Sequence, residues 1–227
     1  VLANLNRHRV DTTQVKIDPN HSTAFSMILT IKGVENEHIV FAHRGASDTL
    51  SAKDLVLNKI QSDWFYISSL PKIGWEGIIE SVIKTKTKIA WDPGSAQLKR
   101  LTRMRKYLPK VKLLFLNQDD ALEFKKLKNI KGLLKYIQSL GPELVVITDG
   151  SVGAYAYDGQ KYYFMKALKV KSMDTVGVGD AFASAFTAAR VYDNNIKTAL
   201  KWGVTNSASV VKKIGAQNGL LSKRQIG

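Results

Sequence analysis

Residues 174–190 read DTVGVGDAFASAFTAAR, and no other stretch of the sequence carries so specific a pattern. Gly177 and Gly179 stand directly before a run of small residues that begins at Ala181 and has the composition of a closely packed helix. Backbone N–H groups converge where glycines precede a helix, and the positive end of the helix dipole favours negative charge there. The stretch therefore predicts an anion site formed by Gly177, Val178 and Gly179.

Asp180 follows the second glycine and falls in the first turn of the predicted helix. Beside an anion site, a carboxylate can accept the proton of an attacking hydroxyl. Aspartate is also a favoured helix-capping residue, so the local pattern supports a structural role for Asp180 about as well as a catalytic one. Two familiar phosphate-binding motifs are excluded: the sequence contains no GxxxxGK[ST], and Phe182 occupies the third glycine position of the dinucleotide fingerprint.

Upstream of this stretch, short apolar segments alternate with longer segments of helical periodicity, which is typical of an α/β fold with a parallel sheet covered by helices. The predicted strands are 64–68, 88–91, 113–116 and 144–148, and the predicted helices are 75–84, 97–107, 120–140, 181–192 and 198–211. Open α/β sheets bind ligands at the carboxyl ends of their strands. We therefore expect functional side chains at those ends.

Nearer the amino end, the strand-like pattern predicts a β-hairpin. Its two apolar segments are residues 23–31 and 38–42. The turn residues between them are Gly33, Glu35 and Asn36. No linker or repeat sets the hairpin apart. We interpret residues 14–45 as a small lid on an α/β core that consists of residues 1–13 and 46–227.

Composition limits the classes of function. A net charge of +15 raises the question of nucleic acid, but the lysines are spread over many segments without an arginine-rich arm, which favours a solvated surface. The absence of cysteine excludes disulfides, cysteine-ligated zinc and a thiol nucleophile, and it fits a reducing compartment, so we expect the cytoplasm. The four histidines lack the spacing of a metal site, although His43 could contact a substrate from the lid. We expect no nucleic-acid or membrane partner.

The motif DTVGVGD followed by AF resembles the DTxGAGD signature of the ribokinase-like, or PfkB-type, family of sugar and nucleoside kinases. Val178 replaces the usual alanine, and this family contacts the anion through backbone N–H groups. Further landmarks follow in family order over essentially the whole chain, namely residues 10–12, the hairpin, residues 45–46 and Asp92 at a strand end. The resemblance implies a three-layer α/β/α fold with a small β lid, with Asp180 as catalytic base.

The resemblance also implies ATP as phosphoryl donor. Residues 148–153 match the family's TxGxxG turn around the ATP phosphates and ribose, through Thr148, Gly150 and Gly153. Asn206 and the turn at residues 215–216 match the wall and the closing turn of the adenine pocket. Read without the resemblance, residues 148–153 are an ordinary turn and Asn206 is a polar helix residue that faces solvent.

Metal binding is implied at two places. Asn117 and Asp120 lie where the family carries an NxxE motif that organises Mg²⁺ and phosphate through water, and the aspartate is one methylene shorter than the usual glutamate. Helix capping after a strand is the local alternative for both residues. Asp174 resembles a residue that helps to bind a monovalent cation such as K⁺ in some family members.

The acceptor is the least determined part of the prediction. In this family an early aspartate that grips sugar hydroxyls and a GG-containing turn lie upstream of the point that corresponds to Val1, so we expect the sequence to begin within a longer protein. The resemblance implies phosphorylation of a hydroxymethyl group of a small sugar, as in ribokinase or fructokinase. A nucleoside kinase acting on adenosine-like acceptors and a catalytically weak ligand-binding relative are the alternatives. The resemblance also implies that the lid can mediate a homodimer, as it can in related enzymes.

Overall fold

A six-stranded sheet organises the larger part of the chain in the computed structural model, which describes residues 1–30, 38–192 and 194–227. Its strands run in the order β3-β4-β5-β6-β7-β8. They are β3 (Trp64–Ile67), β4 (Lys88–Trp91), β5 (Leu113–Asn117), β6 (Leu144–Asp149), β7 (Gly153–Tyr157) and β8 (Tyr162–Lys166). The first four are parallel and the last two are antiparallel, so the predicted parallel sheet is confirmed with an antiparallel extension at one edge.

Helices follow the strands as the alternating pattern predicted. The helices are α1 (Leu2–Arg7), α2 (Trp75–Lys84), α3 (Ser95–Leu98), α4 (Leu101–Met104), α5 (Gln118–Phe124), α6 (Ile130–Gln138), α7 (Val178–Val191), α8 (Ile196–Val210) and α9 (Lys223–Ile226). None of the helices in the described ranges is long and apolar enough to cross a membrane.

The described residues divide into two compact units. One consists of Val1–Gln61 and Pro71–Thr85, and the other consists of Ser62–Leu70 and Lys86–Gly227. The first unit contains the antiparallel pair β1 (Phe25–Thr30) and β2 (His38–His43), which confirms the predicted hairpin strands. The predicted turn at Gly33, Glu35 and Asn36 lies outside the described residues. The second unit contains the whole six-stranded sheet.

Both faces of the central strands are buried. On β5, Leu113 and Phe115 belong to a core cluster with α7 and α8, while Leu114 and Leu116 point to the other face and are equally buried. Alternate residues of a strand point to opposite faces, so burial of both sets requires a layer of helices on each side of the sheet. The three-layer arrangement predicted from the sequence is therefore present.

The small residues of α7 and α8 allow these two helices to pack closely. A methyl group built on Gly203 of α8 would lie 2.6 Å from the ring of Phe182 on α7, so only glycine leaves room for that ring. Phe182 in turn belongs to the core cluster that contacts the sheet. This packing fixes the start of α7, where the glycine turn lies, on the body of the second unit.

Two predicted helices are each divided in the structure. In place of the predicted helix 97–107 the structure has α3 and α4, and in place of the predicted helix 120–140 it has α5 and α6. The second break has a local cause: Asn129 takes an extended conformation and its side chain accepts a hydrogen bond from Gly132 N, so it begins a new helix. Buried apolar residues occur on both sides of the break, with Phe124 on α5 and Leu133 on α6, so the apolar pattern did not reveal the cap.

Candidate active site

The glycine turn has the geometry predicted from the sequence. Gly177 caps α7 with φ of 75°, and Ala181 N donates to its carbonyl oxygen at 2.9 Å. A methyl group on Gly177 would lie 2.7 Å from Cβ of Ala216 and 2.8 Å from its Cα, so both the backbone angle and the close approach require glycine. A methyl group on Gly179 would meet no atom within 4 Å. The turn is therefore tight on its protein side and open on the other.

Two side chains fasten this turn. The Asp174 carboxylate accepts hydrogen bonds from Val176 N at 3.0 Å and from Gly215 N at 2.8 Å. On α8, the Ser207 hydroxyl donates to the carbonyl oxygen of Val178 at 3.1 Å. The turn at residues 215–216, predicted to close the adenine pocket, thus lies directly against the glycine turn. Asp174 acts here as a structural link, and its role in cation binding stays a prediction.

Asp180 is exposed on the first turn of α7. Its carboxylate has no hydrogen-bond partner among the residues the structure describes. The protein around it removes part of its hydration, and this desolvation raises the pKa of the carboxyl above the usual value. An exposed, unpaired carboxylate of raised pKa beside an open glycine turn can accept a proton from a group that reaches the turn.

Two further carboxylates, those of Asp92 and Asp120, follow strands at the carboxyl edge of the sheet. Asp92 follows β4, and burial together with the negative charge of Asp180 raises its pKa to about 7. Asp120 lies in the first turn of α5, where burial raises its pKa to about 6. The charge of Asp120 also raises the pKa of Asp92, so both other carboxylates act on Asp92 at this edge.

The site offers no complete metal centre of its own. Among the residues the structure describes, no group of three or more histidine, aspartate or glutamate side chains is arranged to hold a metal ion. Mg²⁺ commonly binds to phosphates and waters with one or two carboxylates, which does not require such a group. Asp120 could serve such a site as a single carboxylate at the carboxyl edge of the sheet.

The residues predicted to surround ATP come together in part. Asn117 on β5 and Thr148 on β6 are direct neighbours in the parallel register. Gly150 lies in the turn between β6 and β7 with φ of 44°, and a methyl group there would meet no atom within 4 Å. A methyl group on Gly153 would lie 2.2 Å from the carbonyl oxygen of Met165, so this glycine is required by the approach of β8.

Asn117 and Asn206 also have structural roles. Asn117 caps α5, because its Oδ1 accepts a hydrogen bond from Asp120 N at 2.8 Å, which confirms the capping alternative. Asn206 is buried, its amide donates to the carbonyl oxygen of Ala181 at 2.8 Å, and its Oδ1 accepts from Leu221 N at 2.9 Å. The solvent-facing interpretation of Asn206 is therefore wrong. This side chain ties α8 to the first turn of α7.

His43 lies at the end of β2 in the first unit, where its Nε2 is 2.9 Å from the hydroxyl oxygen of Ser22. This hydrogen bond is local to the hairpin. A contact between His43 and a substrate stays a prediction.

A family model identifies the family of the chain: the model described as pfkB family carbohydrate kinase matches residues 1–224. The chain belongs to the PfkB family of carbohydrate kinases. It is accordingly an ATP-dependent kinase of the type that phosphorylates sugars or nucleosides, as the glycine signature implied.

Individual relatives of this PfkB-family chain include both sugar and nucleoside kinases. A cytidine kinase of Thermococcus kodakarensis is 24% identical over 211 residues, which cover 91% of this chain and 74% of the relative. A 5-dehydro-2-deoxygluconokinase of Halalkalibacterium halodurans is 36% identical over 94 residues, which cover 41% of this chain and 28% of the relative. The chain thus spans about three quarters of the first and little more than a quarter of the second.

Among solved structures, a putative ribokinase II from E. coli in complex with ATP and Mg²⁺ is similar in fold. The TM-score is 0.83 at 16% identity, and the superposition covers 97% of this chain and 74% of that protein. At this identity the similarity establishes the fold. Together with the family match, it confirms the ribokinase-like architecture predicted from the sequence.

One residue at this edge of the sheet was missed by sequence reasoning. Tyr66 on β3 donates a hydrogen bond from its hydroxyl to Asp92 Oδ2 at 3.2 Å. Within the strand WFYI the tyrosine is one of three aromatic residues, and nothing in the pattern separates it from a core position. The available signal was its place near the carboxyl end of a predicted parallel strand.

Proposed function

We propose that this protein transfers the γ-phosphoryl group of ATP to a hydroxymethyl group of a small sugar, with Asp180 as the general base. The observation that carries the proposal is the Asp180 carboxylate, which has no hydrogen-bond partner among the described residues and directly follows Gly179 on the open side of the glycine turn. Asp180 takes the proton of the acceptor hydroxyl as the new O–P bond forms and the bond to ADP breaks. Backbone N–H groups of the turn receive the charge of the transferring group.

For ATP, we propose a site that extends from the glycine turn to Thr148, Gly150 and Gly153. Asn117 and Thr148 support this placement, since they are neighbours in the strand register and both lie at the carboxyl ends of their strands. Asn206 contributes as the wall of the adenine pocket, where its hydrogen bonds to Ala181 and Leu221 keep the wall rigid. The raised pKa values of Asp92 and Asp120 also support a charged ligand at this edge.

For metals, we propose that Mg²⁺ binds with ATP and contacts Asp120 through water. The shorter side chain of aspartate favours a water-mediated contact over direct coordination. The two hydrogen bonds that Asp174 accepts leave lone pairs on both oxygens, which is compatible with a K⁺ ion beside the turn. The cytoplasm remains the expected compartment of this activity.

Nucleosides are the second candidate class of acceptor. The cytidine kinase similarity over 91% of the chain favours this reading, whereas the 5-dehydro-2-deoxygluconokinase similarity covers 41% of it and favours a sugar acid. A panel of ribose, fructose, 2-keto-3-deoxygluconate, adenosine, inosine and cytidine, with ATP and Mg²⁺ and the full-length protein, separates the two classes by the acceptor that stimulates release of ADP. A protein that binds one of these acceptors without any release of ADP would be a ligand-binding relative instead.

We propose that the lid hairpin also forms a homodimer contact. One face of its two strands carries Met27 opposite Phe41 and Leu29 opposite Ile39, and all four side chains are exposed, Met27 by 59% and Phe41 by 57%. A contiguous apolar patch of this kind commonly marks a protein interface.

Phe41→Glu is therefore expected to convert a dimer into a monomer, measured as a halved mass by analytical ultracentrifugation. A charge at the centre of an apolar interface lacks a partner and loses its hydration there. Ser26→Glu is the control, because Ser26 is exposed and alternates to the other face of β1. Equal masses for the parent and the Phe41 variant would refute this contact.

A further inference from the structure

Tyr66 occupies an unusual position for an aromatic residue of a parallel sheet. Its side chain is 37% exposed, and its hydroxyl donates to Asp92 Oδ2 at 3.2 Å across the neighbouring strands β3 and β4. Asp92 is held in addition by its backbone, because its N–H donates to the carbonyl oxygen of Ile67 at 2.8 Å. The carboxylate and the phenol therefore form a fixed pair at the carboxyl edge of the sheet.

Aromatic packing ties this pair to the helix that carries Asp180. The ring centroid of Tyr66 lies 6.4 Å from that of Phe115 on β5, and Phe115 lies 5.4 Å from Phe186 on α7 in an edge-on arrangement. Phe186 stacks at 6.0 Å on Phe182, two residues after Asp180. Aromatic pairs at these distances restrict the rings to few orientations. The phenol is thus positioned relative to the start of α7.

The groups that act on Asp92 come from three elements. Tyr66 faces it from β3, Asp180 from α7 and Asp120 from α5. Burial and the two carboxylates raise the pKa of Asp92 to about 7, and the Tyr66 hydrogen bond opposes that rise. Burial first, and then the charges of Asp92 and Asp180, raise the pKa of the Tyr66 phenol, so it remains a neutral hydrogen-bond donor.

We infer that Tyr66 is a positioning residue for the phosphoryl transfer proposed above, and that its hydroxyl fixes the Asp92 carboxylate at the carboxyl edge of the sheet. The inference rests on the proposed function. The charges of Asp180 and Asp92 interact, and this interaction is reciprocal, so an ionised Asp92 increases the affinity of Asp180 for the proton of the acceptor hydroxyl. Tyr66 itself takes no proton and contacts no reacting atom in this scheme, because it acts through Asp92.

The consequence is a specific change in pH dependence. In Tyr66→Phe the ring remains but the hydrogen bond is lost, so Asp92 should hold its proton to higher pH. Loss of one hydrogen bond to a charged group corresponds to a shift of about one pH unit or slightly more. The part of the acid limb of the kcat/KM profile that follows ionisation of Asp92 should move up by that amount, so that activity falls by up to roughly 5- to 10-fold near pH 7 and recovers to within about 2-fold of the parent near pH 9.

The test joins a titration that needs no turnover with a pH–rate profile. Carboxyl ¹³C NMR of aspartate-labelled protein follows the Asp92 resonance, which Asp92→Asn identifies by its disappearance. Tyr157→Phe is the matched control, since the Tyr157 hydroxyl also donates one hydrogen bond, to the Gly159 carbonyl oxygen at 2.8 Å, but at the opposite end of β7 from the candidate site. In the Asp92→Asn background, Tyr66→Phe should leave the pH profile unchanged.

An Asp92 midpoint that moves up in Tyr66→Phe but not in Tyr157→Phe, together with the shifted acid limb, supports the inference. An unmoved midpoint overturns it, as does a loss of activity that is equal at every pH, because a role in packing alone would behave in that way. If the parent protein turns over no acceptor, the proposed function fails. The NMR midpoint then still decides whether Tyr66 controls the ionisation of Asp92.

Discussion

Asp180→Ala is expected to lower kcat by about 10²- to 10⁴-fold, the usual contribution of a positioned general base. The carboxylate is exposed, has no hydrogen-bond partner among the described residues, and stands in the first turn of α7 beside the glycine turn. Its removal should therefore leave the fold and the ATP site intact. Steady-state release of ADP with a saturating acceptor measures the change in kcat, and calorimetry with ATP and Mg²⁺ measures nucleotide binding separately.

Asp63→Ala is the control for this experiment. Asp63 is also an exposed aspartate of the second unit, but it directly precedes β3 and so lies at the amino edge of the sheet, away from the carboxyl ends. We expect turnover within about 2-fold of the parent, since surface substitutions away from such sites are usually near neutral. If Asp180→Ala turns over as fast as Asp63→Ala, Asp180 is not the base.

Gly177→Ala is expected to destabilise the protein by about 2–4 kcal/mol, which sums the strain of a left-handed residue and an overpacked contact. Gly177 has φ of 75°, and the added methyl group would lie 2.7 Å from Cβ of Ala216. Relief of that contact must displace the glycine turn or the turn at residues 215–216. Urea unfolding followed by circular dichroism measures the loss, and turnover should fall as the N–H groups move from their positions.

Gly179→Ala tests the role of the glycine turn in binding the phosphoryl group separately from its role in stability. Gly179 lies within α7, and a methyl group there would meet no atom within 4 Å. The free energy of unfolding should remain within about 1 kcal/mol of that of the parent, since alanine is a better helix former than glycine. Turnover should still fall, because the methyl group occupies the open space that we assign to the transferring phosphoryl group. Full activity in Gly179→Ala would place that group elsewhere.

The sequence contained most of the information on the fold because its strongest signals are local. The glycines at 177 and 179 dictate a turn, and the alternation of apolar strands and helices dictates a parallel sheet. The antiparallel strands β7 and β8 were not predicted; for β7 the reason is that Gly153–Tyr157 contains glycine and two alanines, which favour strands weakly. What makes this segment a strand is pairing with β6 and β8, which is a tertiary property.

The candidate site was predictable where backbone geometry defines it. Gly177 and Gly153 are required by positive φ angles and close approaches that only glycine permits, and such positions are visible as motifs. Side-chain partnerships across the sheet were less accessible. The hydrogen bond between Tyr66 and Asp92 joins residues 26 positions apart, and the buried hydrogen bonds of Asn206 join it to Ala181 and Leu221. No periodicity or spacing indicates these contacts.

The most direct test of the account is whether an acceptor drives the release of ADP from ATP by the full-length protein with Mg²⁺. The account predicts that one sugar or nucleoside of the panel stimulates ADP release, that ³¹P NMR finds the product as a phosphate monoester of its primary hydroxyl, and that Asp180→Ala removes the stimulation while ATP still binds. ADP release that is the same with and without every acceptor, or equal in the parent and Asp180→Ala, would contradict it.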